Sequence, residues 1–181
     1  MPTSALPPLL LLDVDGPLNA FERDPQHLPA DSVACPCIPT WIAKVPREPG
    51  AQVTPLQIYL RRSHGPSLQE LGFELCWATA WMSEANQWIS PALGLPSLPF
   101  IDFGTDLFTE NPDGVHWKTR KILRYARGRT FAWVDDELSN ADRTYVSAHH
   151  DAPALLHHVD PAIGLTEEDL GALRTWAAAL Q

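Results

Sequence analysis

Residues 9–19 read LLLLDVDGPLN: four leucines that end in two aspartates one residue apart, followed by a glycine. A short leucine run closed by a turn signal predicts a strand buried on both faces, as in the middle of a parallel sheet. Asp13 and Asp15 then stand at its carboxyl end, where open α/β sheets place their ligands. Two carboxylates this close repel each other unless something positive lies between them. A hard divalent cation such as Mg²⁺, with its preference for oxygen ligands, does that. The competing reading is a strand followed by an ordinary Asp-Gly turn.

Outward from this stretch, FELCWAT (73–79), LPFIDF (98–103), TFAWVDDE (130–137) and PALLHHV (153–159) are further apolar runs of strand length. Between them lie helical patterns. His64-Gly-Pro-Ser opens a short helix through Leu71, and residues 81–93 carry apolar side chains at helical spacing. Residues 115–127 form a basic helix that Gly128 is placed to cap. Thr166-Glu-Glu-Asp opens a terminal helix with Leu170, Leu173, Trp176, Ala177 and Leu180 on one face. Strands alternating with helices predict an α/β fold, a three-layer Rossmann-like parallel sheet with crossover helices.

Pro25, Pro29, Pro36, Pro39, Pro46, Pro49 and Pro55 break the segment after the first strand into loops and a small hairpin, and LQIYL (56–60) after them reads as a strand. The expectation is one domain over residues 1–181, with 20–55 as a flap or loop insertion near the site. The interval between Thr79 and Lys118 is 38 residues. A helix and a strand take up much of it, so it leaves no room for a large cap domain.

The formal net charge of −9 argues against non-specific polyanion binding over the whole surface. A local exception is the run from Lys118 to Arg129, which holds six of the 13 basic residues. It reads as substrate-facing, or as the solvated basic face of a helix. Three cysteines make no disulfide framework and fit a reducing compartment. Cys35-Pro-Cys37 lacks a second Cys or His pair at zinc-finger spacing. The start, MPTSALPPLLLL, has no basic leader region and its apolar stretch is interrupted by prolines, so a cytoplasmic protein with no membrane association is expected. Nothing in the sequence calls for an obligate protein partner.

Several of the predicted strands end in chemistry, and a parallel sheet brings those ends to one edge. The first delivers Asp13 and Asp15, the second Thr79, and TFAWVDDE delivers Asp135 and Asp136. Lys118 lies 17 residues before Asp135, near the start of a helix that begins on the same edge. One carboxylate can attack phosphorus while another protonates the leaving oxygen, and a metal ion, a lysine and a hydroxyl can stabilise the phosphoryl oxygens.

In this pattern the sequence resembles the haloacid dehalogenase-like superfamily. DVDGPL (13–18) looks like its first motif, WAT (77–79) its second, Lys118 its third and WVDDE (133–137) its acidic fourth. More narrowly, LLLLDVDGPLN…ELCWATAW…AN…LGLP…WVDD…VDPAIGLT resembles the haloacid dehalogenase-like domains associated with Swiss Army Knife RNA-repair proteins. The resemblance implies a Mg²⁺-dependent phosphatase working through an aspartyl-phosphate. Asp13 would be nucleophile and metal ligand, and Asp15 the general acid/base with its backbone carbonyl on the metal. Thr79 and Lys118 would bind the phosphoryl group, and Asp135 and Asp136 would hold Mg²⁺ directly or through water. Lys121 is a second candidate for the role of Lys118. Pro17 departs from the usual Thr or Val and removes a backbone N–H from the turn. The implied partner is a phosphorylated substrate such as RNA or a nucleotide, and processing of RNA or other nucleic-acid ends is the class the closer resemblance favours. A small-metabolite or nucleotide phosphatase and a non-catalytic module binding a phosphorylated ligand are the alternatives.

Other residues divide between bland and functional readings. Trp81 and Trp117 suit core packing more readily than base stacking. Asn19 either bonds substrate or sets the turn after the first motif. The pairs His149-His150 and His157-His158 suggest metal ligands, but the second lies on a predicted strand, where neighbours point to opposite faces and one metal cannot readily use both. His64 and Asp142 are candidates for lining the site and for supporting Asp135.

Overall fold

A computed structural model describes residues 6–46 and 51–180. Residues 1–5, the beginning of the stretch read as carrying no leader, and Pro49 of the proline-rich segment lie outside the described residues.

The leucine run forms strand β1 (Leu9–Leu12), and none of its four side chains is exposed. It is flanked on both sides by parallel strands: β4 (Glu74–Trp77) on one and β5 (Phe131–Asp135) on the other, with β6 (Ala154–His158) beyond β5. Alternation across the strand divides the leucines between two cores. Leu10 and Leu12 pack with α2 (His64–Gln69), α3 (Glu84–Leu93) and α6 (Glu167–Ala178) through Leu68, Ile89 and Leu170. Leu9 and Leu11 pack with α4 (Thr119–Ala126) and α5 (Asn140–His149) through Ile122 and Val146. Burying each leucine contributes about 2 kcal/mol. The protein is therefore an α/β fold with a four-stranded parallel sheet between helices.

The run at 98–103 differs from its expectation as a strand. It touches β4 through one bridge, Trp77 to Phe100, with Trp77 N donating to Pro99 O and Ile101 N to Trp77 O. Pro96 and Pro99 have no N–H to extend a ladder, and Gly104 turns the chain away. Four helices are shorter than the sequence predicts: α2 stops at Gln69, before Leu71, α6 stops at Ala178, before Leu180, and two others start late. Met82 adopts a φ of 46°, so the helix read from residue 81 begins at Glu84. The basic helix begins at Thr119 and ends in two left-handed residues, Arg127 and Gly128, where Gly128 alone was expected to cap it.

The proline-rich insertion is built on an antiparallel hairpin of β2 (Ser32–Cys37) and β3 (Leu56–Arg61), with the short helix α1 (Thr40–Ala43) between them. It thus reaches Arg61, six residues past the expected limit of 55. Cys37, Ile58 and Leu60 anchor it in the same core as Leu10 and Leu12. Asn19 Oδ1 accepts the N–H of Tyr59 at 3.1 Å, tying the hairpin to the turn after β1.

His64 opens α2 and is 3% exposed. Its Nε2 donates to Leu165 O at 3.0 Å, while its Nδ1 has no hydrogen-bond partner. Burial, with the nearby Arg61 charge adding to it and Asp31 opposing, pushes its pKa from 6.5 down to about 4. The unfolded chain takes up a proton that the folded chain refuses, so this contribution to stability is full above pH 6.5 and is lost as pH falls through about 4. We expect denaturant melts across this window to lose on the order of 3 kcal/mol from this group. His64→Gln should remove that part of the pH dependence.

Candidate functional site

The parallel strands bring the chemistry to their carboxyl edge. Asp13 follows β1 directly, and its N–H donates to Val134 O of β5 at 3.0 Å, so the backbone pairing continues into the site. Asp135 ends β5 and Asp136 follows it, while Thr79 lies two residues past β4. Lys118 stands at the start of α4. Asp13, Thr79, Lys118 and Asp135 are all buried.

Lys118 Nζ donates to Asp13 Oδ2 at 2.5 Å and to Asp135 Oδ2 at 2.7 Å. One carboxylate oxygen each from Asp13, Asp135 and Asp136 lies within 4.8 Å of the others. Three carboxylates thus face one ammonium. Burial, reinforced by the Asp135 and Asp15 charges and opposed by Lys118, raises the Asp13 pKa from 3.8 to about 8. Burial and the Asp135 charge raise that of Asp136 to about 6. Burial alone would lower the Lys118 pKa, but the Asp13 and Asp135 carboxylates outweigh it and hold the ammonium charged. The cluster offers oxygen donors only and retains uncompensated negative charge, a donor set that fits a hard divalent cation. Among the described residues it is the only grouping of three or more His, Cys, Asp or Glu side chains with this proximity.

Further contacts fix each member. Asp13 Oδ1 accepts the Val14 N–H at 2.8 Å. Asp135 accepts from Trp133 Nε1 at 3.0 Å and from the Glu137 N–H at 3.0 Å. Asp136 packs directly over Gly16, whose φ is +86°. A Cβ built on Gly16 would fall 2.7 Å from that of Asp136 and closer still to its carboxylate carbon. Gly16→Ala combines this overlap with a left-handed backbone and should cost about 2 kcal/mol or more. It should also displace Asp136, so thermal melts with and without Mg²⁺ are expected to show a smaller metal-dependent shift than in the wild type.

Asp15 stands apart from the three-carboxylate cluster. Its two oxygens accept from Asn19 Nδ2 and Trp81 Nε1, each at 2.8 Å. Trp81 is a core residue whose indole N–H orients Asp15, and Asn19 sets the turn while holding both Asp15 and the hairpin. Thr79 Oγ1 accepts the Trp81 N–H at 3.4 Å. Lys121 Nζ donates to the Asp102 and Phe103 carbonyls, which leaves Lys118 as the lysine on the cluster.

Asp142 is fully buried and accepts from Thr119 Oγ1 at 2.6 Å, from the His116 N–H at 2.8 Å and from Ser139. It clamps the segment bearing Lys118 to the start of α5. His157 pairs with Asp169, His150 with Arg129 O and His149 with Tyr145 O, so these histidines are engaged separately. Cys35 and Cys37 hold their sulfurs 3.4 Å apart on the hairpin.

Much of the basic run is neutralised within the chain. Arg120 pairs with Asp113, Arg124 with Asp106, and Arg129 with Glu74. Only its first member, Lys118, enters the cluster, because α4 starts at the carboxyl edge of the sheet and leads back to the opposite edge, where β5 begins.

No family model, curated protein or solved structure matches the chain.

Proposed function

We propose that the chain is a Mg²⁺-dependent phosphoric monoester hydrolase of the haloacid dehalogenase-like kind, acting through an aspartyl-phosphate on Asp13. The observation that carries this reading is the meeting of Asp13, Asp135 and Asp136 within 4.8 Å, with Lys118 bonded to two of them, at the carboxyl edge of a parallel sheet. These three carboxylates would hold the cation, which when bound would neutralise charge on the phosphoryl oxygens.

The chain's own residues supply the steps. An Asp13 oxygen attacks phosphorus, the bond to the leaving oxygen breaks, and Asp15 donates a proton to that oxygen. Water then attacks phosphorus, Asp15 takes its proton, and the bond from phosphorus to Asp13 breaks to release phosphate. Lys118 uses two of its three N–H donors on carboxylates, so one remains for a phosphoryl oxygen. Thr79 would offer its hydroxyl to another.

The test is hydrolysis of p-nitrophenyl phosphate with and without Mg²⁺. Metal-dependent release of p-nitrophenol is the expected result. Folded protein that is stabilised by Mg²⁺ yet releases phosphate from no monoester would instead be a phospho-ligand-binding module.

A further inference from the structure

Beside Asp15 lies a cavity of about 480 Å³ between the proline-rich insertion and the segments around Trp81 and Phe108. Trp41 of α1, Leu56 of β3, Trp81, Met82, Leu107 and Phe108 form most of its wall, and Asp15 lies on its border. The aromatic groups are arranged as supported platforms. Trp41 is 41% exposed and meets Trp81 edge to face, with ring centroids 4.9 Å apart. Phe108 is 68% exposed and backed by Trp117 at 5.2 Å. Its φ of 55° places a bulky residue in the left-handed region, a conformation that costs free energy while presenting the ring to solvent.

The polar lining limits the occupant. No lysine or arginine borders the cavity, whereas Asp15 and Glu84 do, and the Glu84 carboxylate is already engaged by the N–H and hydroxyl of Thr40. A leaving group carrying further phosphates would meet negative charge without a compensating cation. A flat, uncharged ring system would lie against Trp41 and Phe108 with its ester oxygen toward Asp15.

We infer that this cavity binds the leaving group of a phosphate monoester, and that the leaving group is an uncharged aromatic ring system of at most nucleoside size. The inference rests on the phosphatase reading for its ester, and on the cavity for its ring. It makes the insertion the specificity element of the site. It also disfavours a polynucleotide end, since the basic run that would follow such a chain is largely paired with acidic residues.

The experiment compares kcat/KM for phenyl phosphate, adenosine 5′-monophosphate, glycerol phosphate and a 5′-phosphorylated oligoribonucleotide, in wild type, Trp41→Ala and Phe108→Ala. In each variant the ratio of aromatic ester to glycerol phosphate should fall about tenfold, chiefly through KM, as expected for loss of a stacking surface. An unchanged ratio, or wild-type preference for the oligonucleotide over the mononucleotide, overturns the inference. Phenyl phosphate and adenosine 5′-monophosphate, the two ring-bearing esters, separate a simple aryl group from a nucleoside. Calorimetric titration with adenosine and with phenol reads the cavity independently of turnover. Binding of either that is weakened by Trp41→Ala supports the ring site even if no ester is hydrolysed. Hydrolysis of glycerol phosphate without binding of either ring overturns the cavity assignment and leaves the phosphatase reading standing.

Discussion

Asp13→Asn should lower Mg²⁺-dependent p-nitrophenyl phosphate turnover by about 10⁴-fold, a loss typical of removing a nucleophile. The amide keeps the shape of the side chain and can still accept from Lys118, but its oxygen cannot form the acyl phosphate. The fold should survive. Asp13 is buried beside two other carboxylates, and its pKa of about 8 shows that ionising it in the metal-free protein is opposed by desolvation and repulsion. A neutral amide relieves both. Metal-free thermal stability should therefore hold or rise, while the stabilisation conferred by Mg²⁺ shrinks. Turnover close to wild type would remove Asp13 from the nucleophile's role, whatever the melts show.

Lys118→Met should have the largest effect on stability. The ammonium is 2% exposed and bonded to two buried carboxylates. Methionine fills a similar volume but leaves Asp13 and Asp135 without their cation. Breaking a buried ion pair by deleting one partner costs about 3–5 kcal/mol. Urea melts without metal should show a loss of that size, and saturating Mg²⁺ should recover part of it by replacing the missing positive charge. A loss below about 1 kcal/mol would mean that the carboxylates have other means of neutralisation. Activity should fall as well, because the same ammonium is assigned to the phosphoryl group.

The sheet and its chemical edge are legible in the sequence because few structures satisfy four consecutive leucines. With Pro7 and Pro8 before them and an Asp-Gly turn after, they suit a short strand between two cores, and a strand ending in Asp13 sets the edge where the other ends must meet. The hairpin is legible in outline from its prolines, but its extent to Arg61 depends on pairing between distant residues. Helix starts and stops were less readable. Met82 and Arg127 take left-handed conformations that tertiary packing imposes and that side-chain type does not announce. At 98–103 the apolar pattern is real, and the missing N–H groups of Pro96 and Pro99 limit its pairing.

The supporting contacts of the site divide in the same way. Trp133 beneath Asp135 follows from strand alternation, since residues two apart share a face. The Trp81 bond to Asp15 spans 66 positions and the Asp142 bond to Thr119 spans 23, and neither has a local signal. The charge of the basic run was visible, but its neutralisation was not, because its acidic partners come from residues 74, 106 and 113.

The most direct test of the account is to trap the covalent intermediate. Wild-type protein quenched during Mg²⁺-dependent turnover and treated with borohydride should yield homoserine at position 13, the reduction product of an aspartyl-phosphate, as read by peptide mass spectrometry. Phosphate release at the same rate with Asp13 unreduced, and the phosphoryl group found on another residue, would contradict it.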